Sequence, residues 1–158
     1  MQDYSRNIAA GAVGGLAGGV VLTGAMLMAE RAGLEPITPP AKVGRWMSYH
    51  AGADRRSLKQ PVSAREEAIA EGGHLAASAT LGAAYGALRA TYDLPPVTSG
   101  IAFGLGLYAL NFGLLGPALT VTRKPWNVEP TRHAQRALLH AVFGVVVGLV
   151  AERVARRL

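Results

Sequence analysis

The sequence predicts an all-α integral membrane protein: one domain of four transmembrane helices in a bundle, with a short interfacial helix in the first loop. Three observations predict it. Two long stretches, Ile8 to Ala29 and Thr98 to Thr122, carry no charged residue, and a span needs roughly 20 apolar residues at about 1.5 Å of rise each. Half of the residues are hydrophobic and only 16% are charged, below the roughly 25% of ordinary soluble domains. Gly and Ala are abundant while aromatics make up 6%, a composition suited to close helix packing in lipid and poor at filling a water-soluble core.

The first span is expected over residues 8–30. Its apolar stretch is longer than a signal-peptide core and has no clean A-x-A cleavage site, so it is read as a retained helix. A basic loop follows over 31–62, broken by Pro36, Pro39, Pro40 and Pro61. Within it Val43, Trp46, Met47 and His50 keep i, i+3, i+4, i+7 spacing, which predicts a short amphipathic helix. That helix either lies at the membrane interface, with Trp46 and Tyr49 as headgroup-level anchors, or packs on the bundle as an ordinary loop helix.

The second span, 66–91, opens with Ser63 and Glu66 in the spacing of a capping box. Leu94-Pro95-Pro96 makes a tight turn into the third span, 98–122, where Asn111 is the one strongly polar residue and Pro117 is expected to bend the helix. Arg123, Lys124 and Trp126 form a boundary anchor. The last span, 132–155, is preceded by Pro130, a favourable first-turn residue, and ends among Arg153, Arg156 and Arg157, cations suited to the negative end of a helix dipole.

The two halves look alike. Gly11, Gly15, Gly24 and Pro36 match Gly100, Gly104, Gly113 and Pro125 at one constant spacing, and His74 with Gly82 matches His140 with Gly148 at a second. Two spans separate each matched pair, so the halves read as parallel two-helix repeats. Small residues form stripes at spacing four: Gly11, Gly15 and Gly19; Ser78, Gly82 and Gly86; Gly144 and Gly148. Such stripes let helix backbones approach closely, within one chain or between subunits.

His74 lies four residues before Ser78 and His140 four before Gly144, so both histidines fall on packing stripes. Counted from their helix starts, both should lie about 15 Å in, at similar depth. With Glu71 one turn before His74 and Glu30 closing the first span, the sequence offers a candidate polar intramembrane site of Glu30, Glu71, His74 and His140. Ionisable groups within a membrane are costly and often functional. Proton relay, metal binding through His74 and His140, and bis-imidazole ligation of haem b are the chemistries open to it. The structural alternative is that each imidazole donates to a backbone carbonyl on the next helix and clamps the bundle.

Other chemistries find little support. The net charge of +6 sits in loops and at helix ends instead of one stripe, which points to lipid headgroups and away from nucleic acid. Cysteine is absent, so thiolate catalysis is excluded. No G-x-x-x-x-G-K-[ST] loop occurs and no Ser/His/Asp set is evident, so no catalytic residue and no resident cofactor is predicted. Lys and Arg are more numerous on the side of the two larger loops, which places those loops in the cytoplasm, although the basic C-terminal cluster opposes this.

The order of features resembles a known family. A Gly/Ala-rich span runs into GLEPITPP, a second begins GHLAASATLGAAYG, a third ends near LTVTRKPW and a fourth contains LLHAVFGVVVG. This pattern, over most of the chain, resembles the YagU-like proteins, small multi-span membrane proteins of uncharacterised function. The resemblance implies a multi-pass protein of the bacterial inner membrane and carries over no catalytic residue. The expected function is non-enzymatic: an oligomer, or an accessory subunit of a membrane complex, with lipid and other membrane subunits as partners. The alternatives are a small transporter or channel with a His/Glu pathway and a b-type haem protein.

Overall fold

The computed structural model describes residues 4–34, 38–54, 60–92 and 94–158. Pro36, one of the residues of the repeat, and Arg55, Arg56 and Lys59 of the basic loop lie outside the described residues. The protein is all-α, and no strand occurs among the described residues. Five helices follow in order: α1 Tyr4–Arg31, α2 Pro39–His50, α3 Ala64–Thr91, α4 Pro96–Ala118 and α5 Pro130–Ala155. Three of them, α1, α4 and α5, are long and apolar enough to cross a membrane. α3 has 28 residues but carries Arg65, Glu66, Glu67, Glu71 and Arg89, and falls short in apolarity.

The helix ends follow from local chemistry. The Ser63 backbone N–H and hydroxyl both donate to Glu66 Oε2 (2.9 and 2.8 Å), and the Glu66 N–H donates back to the hydroxyl at 3.2 Å, so the expected capping box forms. α1 ends with Gly33 at φ 72° and α2 with Gly52 at φ 94°. In each, the glycine N–H and the next one bond back to successive carbonyls of the last turn, which is the Schellman arrangement.

α4 departs from expectation at its C-terminal end. It was expected to reach Thr122, yet regular helix ends at Ala118, and residues Ala109–Leu115 form a π-helix. Pro117 accounts for this. It has no N–H, and in an α-helix its ring would strike the Gly113 carbonyl, so the preceding turn widens and the Gly116 N–H reaches back to the Asn111 carbonyl. The helix then closes with a third Schellman turn, Thr120 N–H to Pro117 O (3.1 Å) and Val121 N–H to Gly116 O (2.9 Å), with Thr120 at φ 58° where α1 and α2 use glycine.

Internal contacts divide the chain into two compact units, Met1–Leu22 with Leu75–Leu158, and Thr23–His74. The first holds most of the apolar core: Leu22, Tyr85, Leu107, Phe143, Val147 and Ala151. It is built from two antiparallel hairpins zipped through glycine. Gly11 lies against the backbone of Gly82 and Gly86, Gly15 against Ser78 and Gly82, and Gly19 against Ser78. On the other hairpin, Gly100 lies against Gly144, Gly104 against His140, and Gly148 against Pro96. The stripes predicted from sequence are therefore used inside this chain.

The two hairpins match contact for contact. Gly11 with Gly82, Gly15 with Ser78, and Gly86 with Asn7 correspond to Gly100 with Gly144, Gly104 with His140, and Gly148 with Pro96. Between the hairpins, Gly14 meets Val147 where the equivalent residues Phe103 and Tyr85 stack with ring centroids 5.2 Å apart. Since α1 and α4 both run antiparallel to α5, α1 and α4 share a direction, as do α3 and α5. The α1–α4 spacing is the one read from sequence. The α3–α5 spacing is corrected by one helical turn: His140 corresponds to Ser78, and the counterpart of His74 is Arg136.

Candidate functional site

The unit Thr23–His74 contains a polar cluster built on three helices. Thr38, in extended backbone before the Pro39-Pro40 start of α2, is its N-cap: its hydroxyl accepts the Ala41 N–H at 3.3 Å. The same hydroxyl donates to Glu71 Oε1 at 2.8 Å. Thr23 of α1 donates to Glu71 Oε2 at 3.2 Å and lies 2.9 Å from His74 Nδ1. A hydroxyl has one proton, so with Thr23 donating to Glu71 the His74 ring must donate through Nδ1–H. The result is a directed chain, His74 to Thr23 to Glu71, closed from the other side by Thr38. His74 Nδ1 and Glu71 Oε2 are 3.9 Å apart.

Burial is deep at one end of this chain and lighter at the other. Thr38 is 1% exposed and Glu71 8%, while the His74 side chain keeps 21%. A buried carboxylate is tolerable only when its lone pairs are met, and here both oxygens accept. A relay along this chain would need an imidazolium: His74, protonated on both nitrogens, would pass its Nδ1 proton to Thr23 Oγ1 as the Thr23 proton passes to Glu71, leaving a neutral ring and a carboxylic acid with the same heavy-atom partners. Among the described residues no group of three or more His, Cys, Asp or Glu stands close enough to hold a metal ion.

The four-residue site expected from sequence divides. Glu71 and His74 come together as expected. Glu30, in the same unit, is half-buried and bonds to neither of them. His140 belongs to the other unit and has its own surroundings. Its Nδ1–H donates to the Arg136 carbonyl at 2.9 Å, within its own helix, and its ring stands edge-on to Tyr108 and Phe112 at 5.8 and 5.6 Å. His74 bonds a side-chain hydroxyl of α1, and His140 bonds a carbonyl of the preceding turn of its own helix.

The two rings beside His140 each meet a further side chain. His133 Nε2 donates to the Pro125 carbonyl at 2.8 Å, which leaves Nδ1 to accept the Tyr108 hydroxyl proton. Arg136 lies over the Phe112 ring at 4.8 Å. Carried along the sequence at the offsets of the two hairpins, His133 corresponds to Glu71, Arg136 to His74 and Phe112 to Thr23. One hairpin thus has an acid and an imidazole at these positions, and its counterpart an imidazole and a guanidinium.

Four contributors escaped the sequence reading. Thr23 is the next step on the Gly11, Gly15, Gly19 stripe, and Thr38 sits directly before two prolines, so both carried a signal. Tyr108 and His133 carried none. A further ion pair was also missed: Glu152 joins Arg89 of α3 (2.7 Å) to Arg156 (2.7 Å). Beside it Tyr85, 2% exposed, bonds Ser99 at 2.8 Å.

No protein-family model matches the chain, and no curated protein or solved structure gives a significant match.

Proposed function

We propose that this chain is an integral membrane protein whose helices α1, α3, α4 and α5 cross the bilayer as a four-helix bundle, and that it acts without catalysis, as an oligomer or as an accessory subunit of a membrane complex. One observation carries this reading. Only 11% of the apolar stretch of α4 is buried within the chain, against 28% and 33% for α1 and α5. Leu105, Leu110, Leu114 and Leu115 point outward along it, beside Gly106 and Gly113, whose Cα positions face open space. A surface this apolar needs lipid, and its small residues suit a neighbouring helix. α3 counts as a span because its backbone lies against α1 through three successive turns, so it shares the depth of the charge-free stretch of α1.

On this reading α2 lies in the interface. Its packed face is small, Ala41 being buried and Gly44 lying against Ala70 of α3, while Val43, Met47 and Tyr49 are exposed. Membership of the YagU-like family and residence in a bacterial inner membrane belong to the same proposal and rest on the sequence motifs. The test has two stages. Alkaline washing of membranes should leave the chain in the pellet, and its release into the supernatant refutes the membrane assignment. Mass measurement in mild detergent should then find a complex larger than one chain, and an isolated monomer refutes the assembly role.

A second reading is favoured by the buried Glu71 carboxylate. The directed chain from His74 through Thr23 to Glu71 is what a proton-coupled pathway would contain. It predicts that Glu71→Gln abolishes proton-driven dye quenching in proteoliposomes. A wild type that moves no protons rejects it.

A further inference from the structure

We propose that a cavity between the N-terminal end of α4 and the C-terminal end of α5 binds the phosphate headgroup of an anionic phospholipid, an inference that rests on the membrane reading above. The cavity has a volume of about 460 Å³ and is lined by Pro96, Leu149, Glu152, Arg153, Arg156 and Arg157. Arginine density at a helix C-terminus is by itself dipole compensation, and here it goes further. Glu152 is the one carboxylate among the lining residues, and it is already taken by Arg89 and Arg156. The Arg153 and Arg157 side chains have no hydrogen-bond or ion-pair partner among the described residues, and both are exposed. Arg89, which is joined to the lining residue Glu152, also has a buried Nε without an acceptor. The rim therefore holds guanidinium donors that no protein acceptor meets, in the planar geometry that grips a phosphate with paired N–H groups.

The rest of the surface selects a lipid over free phosphate. Leu138, Val142, Leu149, Arg153 and Arg156 share one face of α5 by helical spacing, and Leu138, Val142 and Leu149 are all exposed. An acyl chain lying along these residues would extend about 15–20 Å, the depth of one leaflet, before its headgroup met the arginines. Inorganic phosphate would use only the rim.

The experiment uses the full chain in a mild neutral detergent. Dioleoylphosphatidylglycerol, dioleoylphosphatidylcholine and inorganic phosphate are titrated separately, and bound lipid is read by native mass spectrometry. The expected result is about tenfold tighter binding of the glycerol lipid than of the choline lipid. Arg153→Gln/Arg157→Gln should lose that preference, and the charge-matched Arg123→Gln/Lys124→Gln should keep it. Equal binding of the two lipids overturns the proposal, as does a preference that survives Arg153→Gln/Arg157→Gln. Competition by inorganic phosphate at the lipid's own concentration shows a free-anion site and overturns the lipid assignment. Failure of the membrane reading is recognised separately, by release of the chain in the alkaline wash.

Discussion

Gly11 and Gly82 meet backbone to backbone, so that a Cβ built on either falls onto the other's carbonyl oxygen. No rotamer relieves such an overlap, because backbone lies on both sides. Gly82→Ala should therefore push α1 and α3 apart and destabilise the protein by about 1–3 kcal/mol. Gly106→Ala meets nothing within 4 Å and should instead gain up to about 1 kcal/mol of helix propensity. Unfolding midpoints in detergent check the contrast, and equal shifts would reject the glycine zipper.

Thr120 takes a left-handed conformation that α1 and α2 assign to glycine. A β-branched residue there costs roughly 1–2 kcal/mol, of which a glycine gives back part through its freer unfolded chain. Thr120→Gly should stabilise by about 0.5–1 kcal/mol, and Gly33→Ala should destabilise by about the same. Thermal melts of both variants decide it; a destabilised Thr120→Gly would mean that the turn has been wrongly read.

Thr38 does two jobs with one hydroxyl, accepting from the Ala41 N–H and donating to Glu71. Thr38→Val removes both at constant shape. The lost cap costs about 0.5–2 kcal/mol, and a buried carboxylate short of one donor adds about 1–3 kcal/mol. Hydrogen exchange should accelerate at the Ala41 and Lys42 amides, and Thr38→Ser should restore protection. Protection unchanged in the valine variant would remove Thr38 from the cluster.

Glu152 bonds both Arg89, whose side chain is 14% exposed, and Arg156, which is 77% exposed. Solvent screens the second pair far more than the first. A double-mutant cycle should give a coupling of about 1–3 kcal/mol for Arg89 with Glu152 and below about 0.5 kcal/mol for Arg156 with Glu152. Reversal of that order would contradict the burial seen at α3.

Much of the helix order was legible because long apolar runs, prolines and the Ser63–Glu66 box each act locally. The pairing register was not. Small residues recur every four positions in α3 and α5, so sliding one helix by a full turn keeps glycine facing glycine. His74 and His140 then look equivalent from spacing alone, and only the carbonyl contacts of Gly82 and Gly144 show the slip. The early end of α4 depended on how Pro117 redistributes hydrogen bonds over the preceding turn, which a hydropathy run does not report. Glu71 and His74 were found because they are ionisable. Thr23 and Thr38 carried only positional signals, a step on the glycine stripe and a place before two prolines, and neither signal names a carboxylate as the partner.

The order of synthesis gives the Gly14 and Gly18 face a history of its own. α1 and α3 leave the ribosome well before α5, whose Val147 and Phe143 later cover those two glycines. On the membrane reading proposed above, the finished first hairpin would during that interval have only acyl chains, or the same hairpin of another nascent copy, against its bare backbone. Polysomes that crowd several young chains into one patch of bilayer would thus offer the first hairpin a substitute for its own α5, and slow translation between α3 and α5 should favour the mispaired product.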